Sequence, residues 1–415
     1  MYPFDTSLAD SFVRAFDLLG LFFGYAPYWG PFVLGVLFWH AWIRYVRANF
    51  IANQQYTLLE IRLPHEVMKS PAAMQAVFDG LNLGGGESTF IDRLWLGKVR
   101  TWYSFEYVSF EGQVHFYVWT RAALRRFVER TIYAHYPDTE IVPVEDYAAR
   151  FPFSLDTHNV FGLDYKLKAA IGVPIRTYTD YGLDATQPKE EQKVDPLNHV
   201  LEFLGSLGKG EYAWIQILCR AHKKEDLTFG TVRNEKDYAG IAMDEVKRIR
   251  GEPEETVVFP DGKSAKMLSD RQRKRIEAIN RNLLTSSQWD VGIRSIYLAE
   301  HEHFDGTNIS GLIALWQPFN APGYNGIGLD GSRWQPIFDY PWQDYNGMRE
   351  TKMKVRIVDA YRLRSWFHHP YKFRHFMLTS EELATIFHIP GTVAKTPTLQ
   401  RITSTRGQAP ANLPL

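Results

Sequence analysis

Residues 102–144 read WYSFEYVSFEGQVHFYVWTRAALRRFVERTIYAHYPDTEIVPV. β-Branched and aromatic residues fill Trp102–Ser109 and Gln113–Thr120, and Phe110-Glu111-Gly112 between them predicts the turn of a hairpin. Leu124, Phe127, Val128, Thr131, Ile132 and His135 then recur at helical spacing over Arg121–Tyr136. Pro137 stops that helix, and Thr139–Val144 reads as another short strand. Upstream, Gln55–Leu63 (QYTLLEIRL) has a strand pattern and Ser70–Leu81 a helical one, after which Gly84-Gly85-Gly86 breaks the chain.

Strand, helix, strand, strand, helix, strand is the order of a ferredoxin-like unit, expected over 51–150. A linker is expected over 151–194, and a second α+β unit over 195–390. In that unit Pro196–Leu207 reads as helix, Tyr212–Ala221 as strand, and Arg271–Leu284 as helix with Ser269 or Asp270 as its cap. Strand Val291–His301, helix Ile309–Trp316, strand Lys354–Arg364 and helix Ser380–Phe387 follow. The expected class is α+β: an N-terminal membrane helix, then two ferredoxin-like (βαββαβ-type) units, the second diverged with insertions at about 223–265 and 318–350. Residues 391–415 form an extended tail.

The membrane helix is read from the start of the chain. No formal charge appears from Leu18 to Ile43, a stretch longer than the ~20 apolar residues that cross a hydrocarbon core. Pro27 and Gly30-Pro31 interrupt it, which predicts an interfacial helix near 6–24, a kink, and a membrane helix near 29–47. Phe32, Leu34 and Leu37 lie within the membrane helix, with Trp29 at one edge and Trp39 and Trp42 near the other, as interfacial aromatics do. Arg44 and Arg47 follow the apolar run, so the positive-inside rule places the N-terminus outside and the bulk of the chain in the cytoplasm: a single-pass inner or plasma membrane protein. The early acids Asp5, Asp10 and Asp17 do not suit a secretory signal.

Lys+Arg 47 balance Asp+Glu 47, which argues against a general nucleic-acid coat. The lone Cys219 rules out an internal disulfide and cysteine-based metal sites. Gly262-Lys263-Ser264 ends like a phosphate loop, but Val257 stands where its first glycine belongs. His301-Glu302-His303 and the group His368, His369, His375 lack a zinc spacing, and no nucleophile elbow occurs. The reading is therefore of no catalytic site, no cofactor and no metal. A basic excess over 347–406 includes Lys352, Lys354, Arg356, Arg362 and Arg364, and Arg271 with Lys274 forms a second cluster. These could contact a DNA backbone or an acidic partner, or simply form a solvated strand edge on which 352, 354 and 356 share one face.

Residues 379–415, TSEELATIFHIPGTVAKTPTLQRITSTRGQAPANLPL, resemble the junction that precedes the motor domain in type IV secretion/conjugation ATPases of the FtsK/HerA-like superfamily. The matching positions are Glu381, Glu382, Leu383, Ala384, Phe387, His388 and Pro390, then Pro410, Asn412, Leu413 and Pro414. Gln113–Glu140 and Asp195–Leu218 are similar to the membrane-anchored region of such proteins. The resemblance implies a non-catalytic, membrane-tethered cytoplasmic component of a DNA or protein translocation system. It would position a hexameric P-loop ATPase encoded separately, with Arg401 and the tail contacting that motor, as a homo-oligomer or not. The alternative is a stand-alone membrane-bound DNA-binding protein that uses the basic C-terminal third.

Overall fold

The computed structural model describes residues 14, 20–21, 23–64, 69–184, 195–228, 231–234, 238–258, 264–285, 287–331, 334, 340–391 and 401–402. It divides into two compact units: Met1–Asn53, Glu87–Val99 and Glu225–Arg233 form one, and the remainder of the chain the other. The first contains helix α1 (Ala26–Ala52). The second is a mixed α+β body built on a mostly antiparallel sheet.

Strand β1 (Tyr56–Pro64), helix α2 (Pro71–Leu81), α3 of the first unit (Phe90–Leu94), and strands β2 (Trp102–Phe110) and β3 (Gln113–Arg121) come first. Helix α4 (Arg125–His135) and β4 (Glu140–Val144) follow, with strand order β4-β1-β3-β2 and every neighbour antiparallel. The β2–β3 turn has Glu111 and Gly112 both at positive φ, as a two-residue hairpin requires.

After the short helix α5 (Tyr147–Arg150) come β5 (His158–Leu167), α6 (Leu197–Gly205) and β6 (Glu211–Ala221). An insertion follows, made of β7 (Glu225–Thr228), β8 (Thr231–Asn234), α7 (Tyr238–Gly251), β9 (Glu255–Val258), β10 (Ser264–Met267) and α8 (Asp270–Thr285). Then come β11 (Gln288–Glu300), α9 (Thr307–Ala314) and β12 (Ile327–Leu329), with strand order β12-β5-β11-β6. Both halves thus thread strand-helix-strand-strand-helix-strand in one spatial order. Their second strands, β2 and β6, pair antiparallel from Trp102↔Arg220 to Phe110↔Tyr212 and fuse the halves into one sheet. Helix α10 (Met348–Arg362), strand β13 (Phe376–Thr379), helix α11 (Ser380–Ile386) and the two-residue β14 (Arg401–Ile402) complete the chain.

Two readings are corrected here. The segment 151–194 is more than a linker: it holds β5, the first strand of the second half, so that half begins well before 195. Lys354–Arg364 is no strand but largely the end of α10, whose Ile357, Val358 and Tyr361 bury a helical stripe. The single helix α1 runs on through Pro31, and most of 6–24 lies outside the described residues.

Alternation assigns each sheet face. Tyr103, Phe105 and Tyr107 with Ile215, Ile217, Val291 and Ile293 point into one apolar core, covered by α2, α4, α6, α9 and α11. The opposite face carries Glu60, Tyr117, Glu106, Gln216, Arg294 and Asp164, which stand directly across from one another on six successive strands. The segment carrying α10 and residues 363–375 covers this polar face. Glycines make room for it: a Cβ on Gly162 would lie 2.1 Å from Ile357, and one on Gly292 2.2 Å from the Trp366 indole. We expect Gly292→Ala to lift Trp366 from its seat and destabilise the fold by about 1–3 kcal/mol, the usual range for overpacking, read as a lower thermal midpoint.

Candidate functional site: an apolar helix and its aromatic collar

Helix α1 is 27 residues long, about 40 Å at the usual rise. Only Ile43 and Val46 in it are buried. Phe32 (78% exposed), Val33, Leu34, Val36, Leu37 and Phe38 are all open, and at 100° per residue they spread over about 240° of the helix circumference. An exposed apolar face this wide is one that a protein core or lipid ordinarily covers. Among the described residues no helix is long and apolar enough to cross a membrane; Pro27, Pro31, His40, Arg44 and Arg47 dilute the apolar character of α1.

Residues 87–99 wrap the basic end of this helix. The Trp42 indole N–H donates to the Leu94 carbonyl at 3.0 Å, and Trp95 meets Trp39 and Trp42 edge-on, with centroids 6.5 and 5.6 Å apart. Glu87, almost fully buried, accepts from Arg47 at 3.1 Å, while its carbonyl accepts from Arg93. Thr89 and Asp92 cap α3 reciprocally. Gly97 has φ +62°, and a Cβ there would lie 2.3 Å from the Val46 carbonyl oxygen. Phe90, Ile91, Trp95 and Leu96 remain exposed beside the three indoles. Of the expected anchor residues, Trp39, Trp42 and Arg47 are therefore built into this collar, while Phe32, Leu34 and Leu37 are open. Trp29 is half-buried and Arg44 exposed.

The residues assigned to motor contact fall elsewhere. Glu381, Glu382, Phe387, His388 and Pro390 are buried, so within this chain they form an internal hub and no open surface. Glu382 caps α11 with Thr379 and accepts from the Ile175 backbone at 2.9 Å and Asn282 at 3.2 Å. Burial raises its carboxyl despite those donors. Glu381 accepts from the Thr179 hydroxyl. His388 Nδ1 and Nε2 meet the Ala384 carbonyl and the Asp195 carboxylate, each at 2.9 Å. Arg401 pairs by its backbone, in parallel, with Leu63 of β1. Pro410, Asn412 and Pro414 lie outside the described residues.

The His388–Asp195 pair has a pH signature. Burial would pull the imidazole down, but the Asp195 charge and hydrogen bonds hold it above its ordinary value. Asp195, for all its burial, is held below the usual carboxylate range by His388. The histidine's contribution is complete below about pH 6.5 and is lost as pH rises through its raised value; the aspartate's is complete above about pH 3.9 and is lost on acidification. Between pH 6 and pH 9 the wild type should therefore lose more thermal stability than Asp195→Asn, measured by parallel melts.

Of the expected nucleic-acid contacts, Arg362 and Arg364 are withdrawn from any surface role. Arg362 donates to the carbonyls of Ala148 and Phe151 at 2.8 and 2.7 Å. Arg364, fully buried and at φ +45°, grips Glu106 at 3.0 and 3.2 Å and also pairs with Asp146. Burial alone would lower its guanidinium, yet Glu106 and Asp146 hold it well above its usual range. Lys352 and Arg356 are exposed one helical turn apart. Lys354 points elsewhere and pairs with Glu350 at 2.7 Å, so the shared strand face does not exist. Arg271 and Lys274 are exposed on α8.

Further buried clusters lie on the polar face. Arg294 pairs with Asp164 at 2.9 Å beneath the Trp334, Trp366 and Phe373 rings. Asp290 sits among Arg220 (2.8 Å), His222 (2.7 Å), Arg100 and His375. Burial opposes its ionisation, but Arg220 and the other partners around it hold it well below the carboxylate range. His301 bonds the Leu155 carbonyl and His303 pairs with Glu300. Among the described residues no group of three or more His, Cys, Asp or Glu is placed to hold a metal ion. The turn at Gly208 and Gly210 turns its N–H groups to Glu211 and Glu111, carboxylates that would repel a phosphate.

No family model matches this chain, and no curated protein matches it significantly.

Proposed function

We propose that this chain is a membrane-tethered, non-catalytic scaffold of a type IV secretion/conjugation-like translocation system. In this reading the uncharged N-terminal stretch enters the bilayer with its N-terminus outside. The collar lies at the cytoplasmic interface, and the body, two ferredoxin-like units joined edge to edge, stands in the cytoplasm. A separately encoded hexameric P-loop ATPase docks on it, met by the tail beyond β14.

The observation that carries the tether is the wide exposed apolar face of α1, ringed at one end by Trp39, Trp42 and Trp95 and closed by Arg44 and Arg47. A wide exposed apolar face, an indole belt and basic residues beyond it are what a lipid environment selects. The partner rests on the likeness of 379–390 and the tail to a pre-motor junction, an argument from analogy.

Membranes from cells expressing the full chain should retain it through high salt and alkaline carbonate, and release it only in detergent. Affinity purification from that detergent extract should bring down a P-loop ATPase in stoichiometric amount. Release by carbonate would remove the tether, and a detergent extract without an ATPase would remove the scaffold role.

A further inference from the structure

A second exposed aromatic surface lies on the α+β body. Trp342 is 75% exposed and Tyr345 70%, with Tyr340, Met348 and Val355 also open. Tyr340 and Trp342 are stacked face to face, 4.7 Å between centroids and 7° from parallel, with no further ring closing the stack among the described residues. Along the following α10, Arg349, Lys352 and Arg356 are exposed at i, i+3 and i+7, one side of the helix. None of the three makes a side-chain ion pair among the described residues. The first N–H groups of α10 are already occupied: Asp344 accepts from Arg349 and Glu350 at 2.7 and 3.0 Å. The cationic side chains, and not the helix end, are therefore what an anion would meet.

We propose that residues 340–356 form a binding surface for single-stranded nucleic acid. Unstacked bases lie on the faces of Tyr340, Trp342 and Tyr345, and Arg349, Lys352 and Arg356 follow the phosphates. Flat, open rings next to a row of unpaired cations are the two components of a sequence-tolerant single-strand site. A lipid surface fits less well, because Asp344, Asn346 and Glu350 lie among the rings, where an embedded patch would be apolar throughout. This surface is independent of the tether and of the motor.

The test is fluorescence anisotropy of a labelled oligothymidylate of about 20 nucleotides with the detergent-purified full chain, titrated at several salt concentrations. Binding should weaken steeply with salt. Trp342→Ala with Tyr345→Ala should weaken it at least ~10-fold at fixed salt, as loss of one or two stacked bases does. Arg349→Glu with Lys352→Glu should also flatten the salt dependence. Trp342→Phe, which keeps a stacking face, should retain most of the affinity. All of these positions are exposed, so each variant should keep the wild-type circular dichroism spectrum. No binding at low salt, or binding untouched by the aromatic double variant, overturns the proposal. So does an effect of these variants confined to phosphatidylserine micelles, which would assign the surface to lipid.

Discussion

Arg364→Ala should destabilise the α+β body by about 3–5 kcal/mol, the usual consequence of removing one partner from a buried ion pair. Its guanidinium bridges Glu106 and Asp146, and it is fully enclosed. Removal leaves the Glu106 carboxyl buried without its cation, beside the Tyr147 and Gln216 side chains, which also bond to it. Tyr147 further meets the Tyr361 hydroxyl at 2.7 Å, so the loss spreads from the sheet into α10. Two controls separate charge from packing. Arg364→Lys keeps a cation but cannot bridge two carboxylates in a planar fork, and should recover only part of the loss. Pairing Arg364→Met with Glu106→Gln should be milder than Arg364→Ala alone, because the fully buried carboxyl is neutralised together with its cation and only the part-exposed Asp146 loses a partner. Equilibrium denaturant unfolding measures all three.

Leu34→Asp with Leu37→Asp and Phe38→Asp should move the chain from the membrane fraction to the supernatant. All three side chains are open on α1, and each carboxylate at the centre of a membrane helix opposes insertion by about 2.5–3.5 kcal/mol. Together they exceed what the remaining apolar residues can supply. The substitutions remove no internal contact of the body, so its melting transition should be unchanged. That separation between fractionation and folding marks a tether apart from a misplaced core helix.

The first half of the sheet was legible because its hairpin, helix and terminating Pro137 each follow a local rule. The strand β5 was not. In His158–Leu167 the outward positions include Gly162 and Asp164, which look like loop residues; Gly162 is small because Ile357 seats on it, and Asp164 is charged because Arg294 lies opposite. Both reasons sit far along the chain. Helix α10 misled through Lys352, Lys354 and Arg356, whose alternation mimics a strand, while its apolar stripe starts only at Ile357. The buried role of Arg364 depends on Glu106, 258 residues away, and no local pattern reports that. The block 379–390 stands out as a motif, but its residues serve the fold of this chain: a capped helix latched to Ile175, Thr179, Asp195 and Asn282. The apolar run of α1 was legible from charge alone. Its collar was not, because Phe90, Ile91, Trp95 and Leu96 are separated from α1 by β1 and α2.

The most direct test of the tether is depth measurement by nitroxide labels in lipid vesicles. The lone Cys219 is buried, so Cys219→Ala gives a clean background for single cysteines at Leu34, Leu96 and Lys166. The account predicts a label at 34 that oxygen relaxes and a water-soluble nickel chelate does not reach, an intermediate label at 96, and a fully chelate-accessible label at 166. A label at 34 as open to the chelate as the one at 166 would contradict it.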